Sequence, residues 1–343
     1  MKIISLFSGI GGLDLGFEMA GHQAVFANDI MNAACLTYLE NFGQNQNAEI
    51  LTPLQYEQQY EEQTLPDLPI VKGNISGIEH FPPAEIVTGG FPCQGFSMIG
   101  TRLETDPRNQ LYLEFSRVVN IANPKIFVAE NVKGLLQLYG GRVFEAIKEE
   151  FAQIGKHGYT VQSKLLNAKN YGVPQDRERV IIVGVRNDLE FEYKYPEPSH
   201  GDESFFGGQF NGQSPYRTLK DAIGNLSEPH PEEIHSGKFS PLYMSRNRKR
   251  KWDQVSFTIQ ANAMHVPLHP SSCDMVKVET DKFVFSPEGG IYRRLTPREC
   301  ATIQSFPKDF RLTGTIQKQY TQIGNAVPPL LARAVAGQIP LKL

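Results

Sequence analysis

The chain has 343 residues, a net charge of −3 and 40% hydrophobic residues, values that allow a large core and two domains and exclude a disordered or fibrous chain. So little charge rules out a global pull on nucleic acid, so any such contact must come from a local basic patch. The cysteines Cys35, Cys93, Cys273 and Cys300 are scattered, with no CxxC and no zinc-like spacing, which points to a reducing compartment with neither a disulfide framework nor a metal site. No run is long enough to span a bilayer. The apolar opening Met1-Lys2-Ile3-Ile4 is interrupted by Gly9, Gly11, Gly12 and Asp14 too soon for a secretory signal, so a cytoplasmic protein is expected.

In chain order, Ile3-Ile4-Ser5-Leu6-Phe7 reads as a strand and Ser8-Gly9-Ile10-Gly11-Gly12 as a tight glycine turn. A helix through Leu13, Leu15, Phe17 and Met19 follows, closed by Gly21. That is how a nucleotide-type α/β domain opens. Asp14 stands where the third glycine of G-x-G-x-x-G should be, so a dinucleotide dehydrogenase is poorly supported. Val25-Phe26-Ala27-Asn28-Asp29 reads as a second strand whose terminal acid suits a ribose diol or the cap of the next helix. The Gln- and Glu-rich stretch from Gln44 to Gln63 lacks clear periodicity and reads as a peripheral insertion.

Ile86-Val87-Thr88 reads as a short buried strand, followed by Gly89-Gly90-Phe91-Pro92-Cys93-Gln94-Gly95-Phe96-Ser97. Cys93 therefore sits just past a strand's carboxyl end, where open α/β sheets bind ligands. Two glycines permit close backbone approach, Pro92 fixes the turn, and the residues after Gln94 are lid-like. A lone Cys is more often a small core hydrophobe, and only the distant motifs reverse those odds. Further on come a helix from Leu111, a strand Ile126-Phe127-Val128-Ala129 ending on Glu130-Asn131-Val132, an amphipathic helix from Val143 to Ile154, and strands at 159–166 and 180–185.

Past Arg186 the texture changes. Pro- and Gly-rich residues near 195–208 read as a linker, and 186–290 holds short strands and the basic cluster Arg246-Asn247-Arg248-Lys249-Arg250-Lys251-Trp252. Such a run is usually a solvated face, but the interleaved Asn, Trp and Gln side chains raise a nucleic-acid reading. Thr296, Pro297 and Glu299 predict a capped helix start, and Gln322 to Pro329 a turn feeding a final helix.

Six of these pieces, in order, resemble the cytosine-C5 DNA methyltransferases over nearly the whole chain. They are Phe7-Ser8-Gly9-Ile10-Gly11-Gly12, Gly89 through Ser97, Glu130-Asn131-Val132, Gln175-Asp176-Arg177-Glu178-Arg179, Arg294-Leu295-Thr296-Pro297-Arg298-Glu299 and Gly324-Asn325-Ala326-Val327-Pro328. The resemblance implies a Rossmann-like, S-adenosylmethionine-dependent methyltransferase sheet with a smaller, strand-rich target-recognition domain. The expected division is 1–185 completed by 321–343 for catalysis and cofactor, and 186–320 for target recognition.

The chemistry suits that resemblance. Cytosine C5 is a poor nucleophile until a group adds to C6, and Cys93 is the one thiol in a ligand-facing loop. Glu130 would share a proton at N3 and the exocyclic amine if desolvated. The resemblance gives Arg177 the cytosine O2 and Arg179 a scaffold or phosphate contact. For the cofactor it implies Phe7, Ser8, Gly9, Gly11 and Gly12 on the methionine and ribose side, Asp29 and Ile30 at the ribose, Asn74 and Ile75 at the adenine, and Asn325 and Val327 from the C-terminus. Asn74 departs from the family's usual Asp, although its carbonyl oxygen can still accept.

DNA contacts are expected from Gln94, Ser97, Arg179, Arg246, Arg248, Lys249, Arg250 and Gln260, with Arg248 the first candidate base reader, Arg246 the second, and Lys249 a phosphate holder. Segments at 244–248, 257–261 and 269–270 are similar to recognition segments of enzymes that modify GGCC. The expected setting is a monomer on duplex DNA, cytoplasmic and nucleoid-associated, away from membranes, with a restriction endonuclease as genetic rather than physical partner. A DNA-binding module would have no use for Cys93, Glu130 and Arg177 together, a cysteine hydrolase would want a partner His, and an RNA cytosine methyltransferase is the nearest alternative.

Overall fold

The computed structural model describes residues 1–92, 111–202, 213–287 and 290–343. The strand β1 spans Lys2–Leu6, and its Ile3, Ile4 and Leu6 are fully buried, as befits a strand covered on both faces. The short helix α1, Gly12–Glu18, leads to β2, Gln23–Asp29, and α2, Asn32–Phe42. Then come β3 Ala48–Leu51, α3 Pro53–Glu62, β4 Leu68–Lys72 and β5 Ile86–Gly89. The large sheet is completed through α4 Leu111–Ala122, β6 Ile126–Val132, α5 Arg142–Ala152, β7 Tyr159–Asn167 and β8 Glu178–Arg186.

The eight strands lie in the order β3-β4-β2-β1-β5-β6-β8-β7. Strands β3 to β6 with β1 and β2 pair in parallel, and β8 runs antiparallel to β6. Because β1 pairs with β2 on one side and β5 on the other, the strand order reverses at β1. Crevices at such a reversal, beyond the strands' carboxyl ends, are where open α/β sheets take their ligands.

Residues 44–63 are no peripheral insertion: they supply the edge strand β3 and the helix α3. The glutamines and glutamates of α3 that hid this are exposed or half-buried, while Tyr56 is fully buried. Thr52 begins the helix with a reciprocal capping box to Gln55 and a proline at the first helical position.

By its internal contacts the chain divides into two units. The first holds 1–166, 178–197 and 332–343, and the second 167–177 and 198–331. This departs from the sequence expectation at 167–177 and 321–331, which belong to the second unit, and at 186–197, which belong to the first. Asp176 N donates to Ser256 O at 2.8 Å, and Ser256 N to Pro174 O at 3.0 Å.

In the second unit, β9 His200–Gly201 pairs with β10 Ser214–Pro215, α6 covers Leu219–Ile223, and β11 Met275–Glu279 forms a hairpin with β12 Lys282–Phe285. The helix α7, Pro297–Ile303, has the expected capping box, with Glu299 N donating to the Thr296 hydroxyl and Thr296 N to the Glu299 carboxylate. Gln322 to Asn325, expected as a turn, is the last turn of α8, Ile316–Asn325, and α9 follows over Pro329–Ala336. Gly324 weakens that helix in sequence, yet the packing needs it: a Cβ there would come within 2.4 Å of the backbone at Gln260 and Ala261.

Candidate active site

Past β1 the backbone enters the left-handed region at Phe7 (φ 51°), Gly9 (57°) and Gly11 (79°). At Phe7, which has a side chain, this costs on the order of 1–3 kcal/mol, a strain that collects at ligand sites. A Cβ built on Gly9 would meet nothing within 4 Å, so open space faces the turn there, whereas at Gly11 it would strike the Phe42 ring at 2.3 Å. Ser8 N and its hydroxyl both donate to Asn28 O, tying the turn to β2. Gly12 begins α1, buried like Gly11.

Asp29 does not cap α2, whose N-cap is Met31. Its carboxylate accepts from Gly9 N at 2.9 Å and Met31 N at 2.7 Å, and burial pushes its pKa above the ordinary carboxylate value. Next to it Ile30 is 72% exposed, an apolar side chain presented where a ligand's ring could cover it. Asp14, the residue that breaks the dinucleotide pattern, lies fully buried under the turn, accepts from the Ser5 hydroxyl at 2.9 Å, and is pushed up to about 7 by desolvation.

The Asn74 carbonyl oxygen accepts from Ser76 N at 3.2 Å, so the atom expected to meet an adenine also caps the turn that carries buried Ile75. Sequence reasoning missed Arg117 on α4, which donates to Ile75 O at 2.8 Å and Ile78 O at 2.9 Å and so holds this turn. Its signal, a lone Arg on an amphipathic helix, has no local meaning.

Cys93, Gln94 and Ser97 lie outside the described residues. The turn leading to them is fixed from β6. Asn131 donates its amide to Phe91 O at 2.9 Å, and a Cβ on Gly90 would stand 3.1 Å from the Glu130 carboxylate, so glycine there lets the acid reach the turn. Glu130 and Asn131 are adjacent strand residues and face opposite sides, which is how one β6 end both anchors the turn and offers a carboxylate.

Of the two arginines of 175–179, it is Arg179 that stands beside Glu130. Arg179 Nε pairs with Glu130 at 2.7 Å, with both side chains about nine-tenths buried. In the antiparallel register Val132 faces Arg179 and Glu130 faces Ile181, so Glu130 and Arg179 are diagonal neighbours on one face. Arg177 is instead fully buried within the second unit, where it donates to Ile259 O, Gly324 O and Ala326 O at 2.7–3.0 Å. Three carbonyls fill the fork of that guanidinium, while Arg179 stands beside the acid.

The other residues expected at cofactor or DNA also fall in the second unit. Asn325 is exposed at the end of α8 and Val327 is buried. Arg248, expected to read a base, lies over the Tyr243 ring and donates to Tyr243 O at 3.1 Å and Leu242 O at 3.3 Å. Lys249, expected on a phosphate, pairs with Asp274 at 2.7 Å, and Arg250 sits 4.0 Å over the Phe257 ring. Arg246 and Gln260 are exposed.

The family model for the C-5 cytosine-specific DNA methylases matches residues 1–340. The chain belongs to that family. It is 45% identical to the Type II methyltransferase M.BsuRI of Bacillus subtilis over 99% of this chain and 79% of that one. With M.BspRI of Lysinibacillus sphaericus the identity is 44%, over 98% and 81%. Among solved structures, the Dnmt2 methyltransferase of S. pombe superposes with a TM-score of 0.63 at 18% identity, covering both chains fully, a likeness of fold. The methyl donor of this methylase is S-adenosylmethionine, and the first unit fits it. Open space over Gly9, a carboxylate ending β2 and the exposed Ile30 give room, a hydroxyl acceptor and an apolar cover. Among the described residues no helix is long and apolar enough to cross a membrane.

Proposed function

We propose that this methylase acts on one cytosine of a specific duplex DNA site, with Cys93 as nucleophile and the Glu130–Arg179 pair at the base. The observation that carries this is the buried pair itself, set against the Gly90–Phe91 turn that leads to Cys93. The target base is stacked in the duplex and must be flipped out, at a cost of about a few kcal/mol offset by pocket contacts. The Cys93 thiolate adds to C6, and the electrons of the C5–C6 double bond become available at C5. Glu130 bonds the N3 and exocyclic-amine edge, and Arg179, rather than Arg177, faces O2 and steadies the charge drawn onto the ring. S-Adenosylmethionine, when bound, supplies an electrophilic methyl on a sulfonium. With the methyl on C5 and the thioether S-adenosylhomocysteine released, a base would remove the C5 proton, the double bond would re-form and Cys93 would leave C6.

The second unit reads the DNA in this proposal. Its recognition segments favour a GGCC-like target, and the biological setting is a monomer in the cytoplasm, on nucleoid DNA, protecting host sites from a partner nuclease. The test is a duplex carrying 5-fluorocytosine at the target, where fluorine blocks the final proton loss. The wild type should be trapped as a covalent adduct, and Cys93→Ala should form none and transfer no methyl while still binding cofactor. Adduct formation or turnover by Cys93→Ala would remove Cys93 from the mechanism. Mapping the cytosines methylated in DNA from cells that express the chain decides the site.

A further inference from the structure

Ile259 is fully buried, yet among the described residues no strand partner takes its backbone. Its N–H donates to the Gln175 side-chain oxygen at 3.2 Å and its carbonyl accepts from Arg177 at 3.0 Å. One residue earlier the Thr258 hydroxyl donates to Asp176 O at 2.5 Å. Residues 175–177 thus hold 258–259 through side chains, a polar clamp that is itself buried: Gln175 and Arg177 have no exposed surface. Buried polar groups of this kind are costly unless fully engaged. Here the clamp continues, with Gln175 donating to the Gln304 oxygen at 3.1 Å and Gln304 donating to Ile323 O and Ala326 O, each at 2.7 Å. The residue just beyond the clamp, Gln260, is exposed, and its peptide to Ala261 lies against Gly324 so closely that no Cβ would fit.

We infer that Gln175 and Arg177 are positioning residues for target reading, fixing the backbone at Ile259 so that the exposed Gln260 amide is presented to the DNA in one orientation. The inference rests on the proposal that the second unit reads the duplex. An amide held by a fixed backbone discriminates base edges, whereas a loose one bonds whatever is offered. Lysine at 177 would keep the charge but could not serve three carbonyls in the plane of a guanidinium fork.

The experiment measures kcat/KM on the cognate duplex and on each single-base variant, for the wild type, Gln260→Ala, Arg177→Lys, Gly324→Ala and the pair Arg177→Lys with Gln260→Ala. Arg177→Lys and Gln260→Ala should each lower the cognate-to-variant ratio by about tenfold at the same base pair. The double variant should lose little more than either single one, because both remove the same interaction. If Arg177→Lys does not fold, Gly324→Ala carries the test, since its methyl group displaces the Gln260–Ala261 peptide and should relax the same base pair. An unchanged ratio in Arg177→Lys and Gly324→Ala, with Gln260→Ala relaxed, overturns the positioning role and leaves DNA reading by this unit intact. An unchanged ratio in Gln260→Ala removes this segment from DNA reading. Equal loss of kcat on every duplex in Arg177→Lys would return Arg177 to catalysis.

Discussion

At the scale of single residues, the instructive pair is Arg177 and Arg179. They are two positions apart in one motif, and both suit an anionic or carbonyl partner. What separates them is the antiparallel register of β8 on β6, which makes Arg179 the diagonal neighbour of Glu130, together with the carbonyls at Ile259, Gly324 and Ala326 that occupy Arg177. Neither is local in sequence, so the motif could not show which arginine stands beside Glu130. Glu130 was legible as the acid at the end of its strand, β6, because an apolar run that stops on a carboxylate is a local signal. The reassignment yields a contrast in kinetics. Glu130→Gln should lose ~10²–10⁴ in kcat and Arg179→Ala ~10²–10³, with DNA binding close to wild type in both when measured by gel shift. Equal losses in binding and turnover would make the pair a DNA-positioning device instead.

At the scale of elements, the parts that declare themselves locally were readable: the glycine turn, the apolar strands, and the Thr296 capping box reproduced in α7. The parts that depend on what packs against them were not. The helix α3 was hidden because only its Tyr56 is fully buried, which leaves no apolar stripe to detect. The helix α8 was hidden by Gly324, whose reason is a contact with a segment some sixty residues away. The glycine turn shows how one motif mixes both kinds of demand. Gly9 and Gly11 both have positive φ, so an alanine at either pays on the order of 1–2 kcal/mol in backbone conformation. At Gly11 the added methyl also strikes Phe42, which is stacked on Tyr38 at 4.3 Å, and overpacking adds about 1–3 kcal/mol. At Gly9 the methyl enters open space. Gly11→Ala should therefore show much the lower urea midpoint, and Gly9→Ala the higher KM for S-adenosylmethionine. A Gly9→Ala enzyme with wild-type cofactor KM would separate that space from the cofactor.

At the scale of the whole molecule, a net charge of −3 sets the problem of holding a polyanion. The phosphate attraction must come from a few cations that are not already neutralised. The run from Arg246 to Lys251 looks in sequence like a uniform supply, but the structure divides it. Lys249 is spent on Asp274, Arg248 and Arg250 lie over aromatic rings, and Arg246 is exposed. A cation that is paired before binding releases no phosphate counterion of its own unless the pair opens. The logarithm of the binding constant against the logarithm of salt concentration should therefore flatten by about one unit in Arg246→Ala. In Lys249→Ala the slope should stay near wild type, because that lysine is already paired with Asp274 and holds no phosphate of its own. Fluorescence anisotropy with a non-cognate duplex at several salt concentrations measures both slopes without a contribution from base reading. A flattened slope in Lys249→Ala with an unchanged one in Arg246→Ala would mean that the Lys249–Asp274 pair opens on DNA and that Lys249, not Arg246, meets the phosphate.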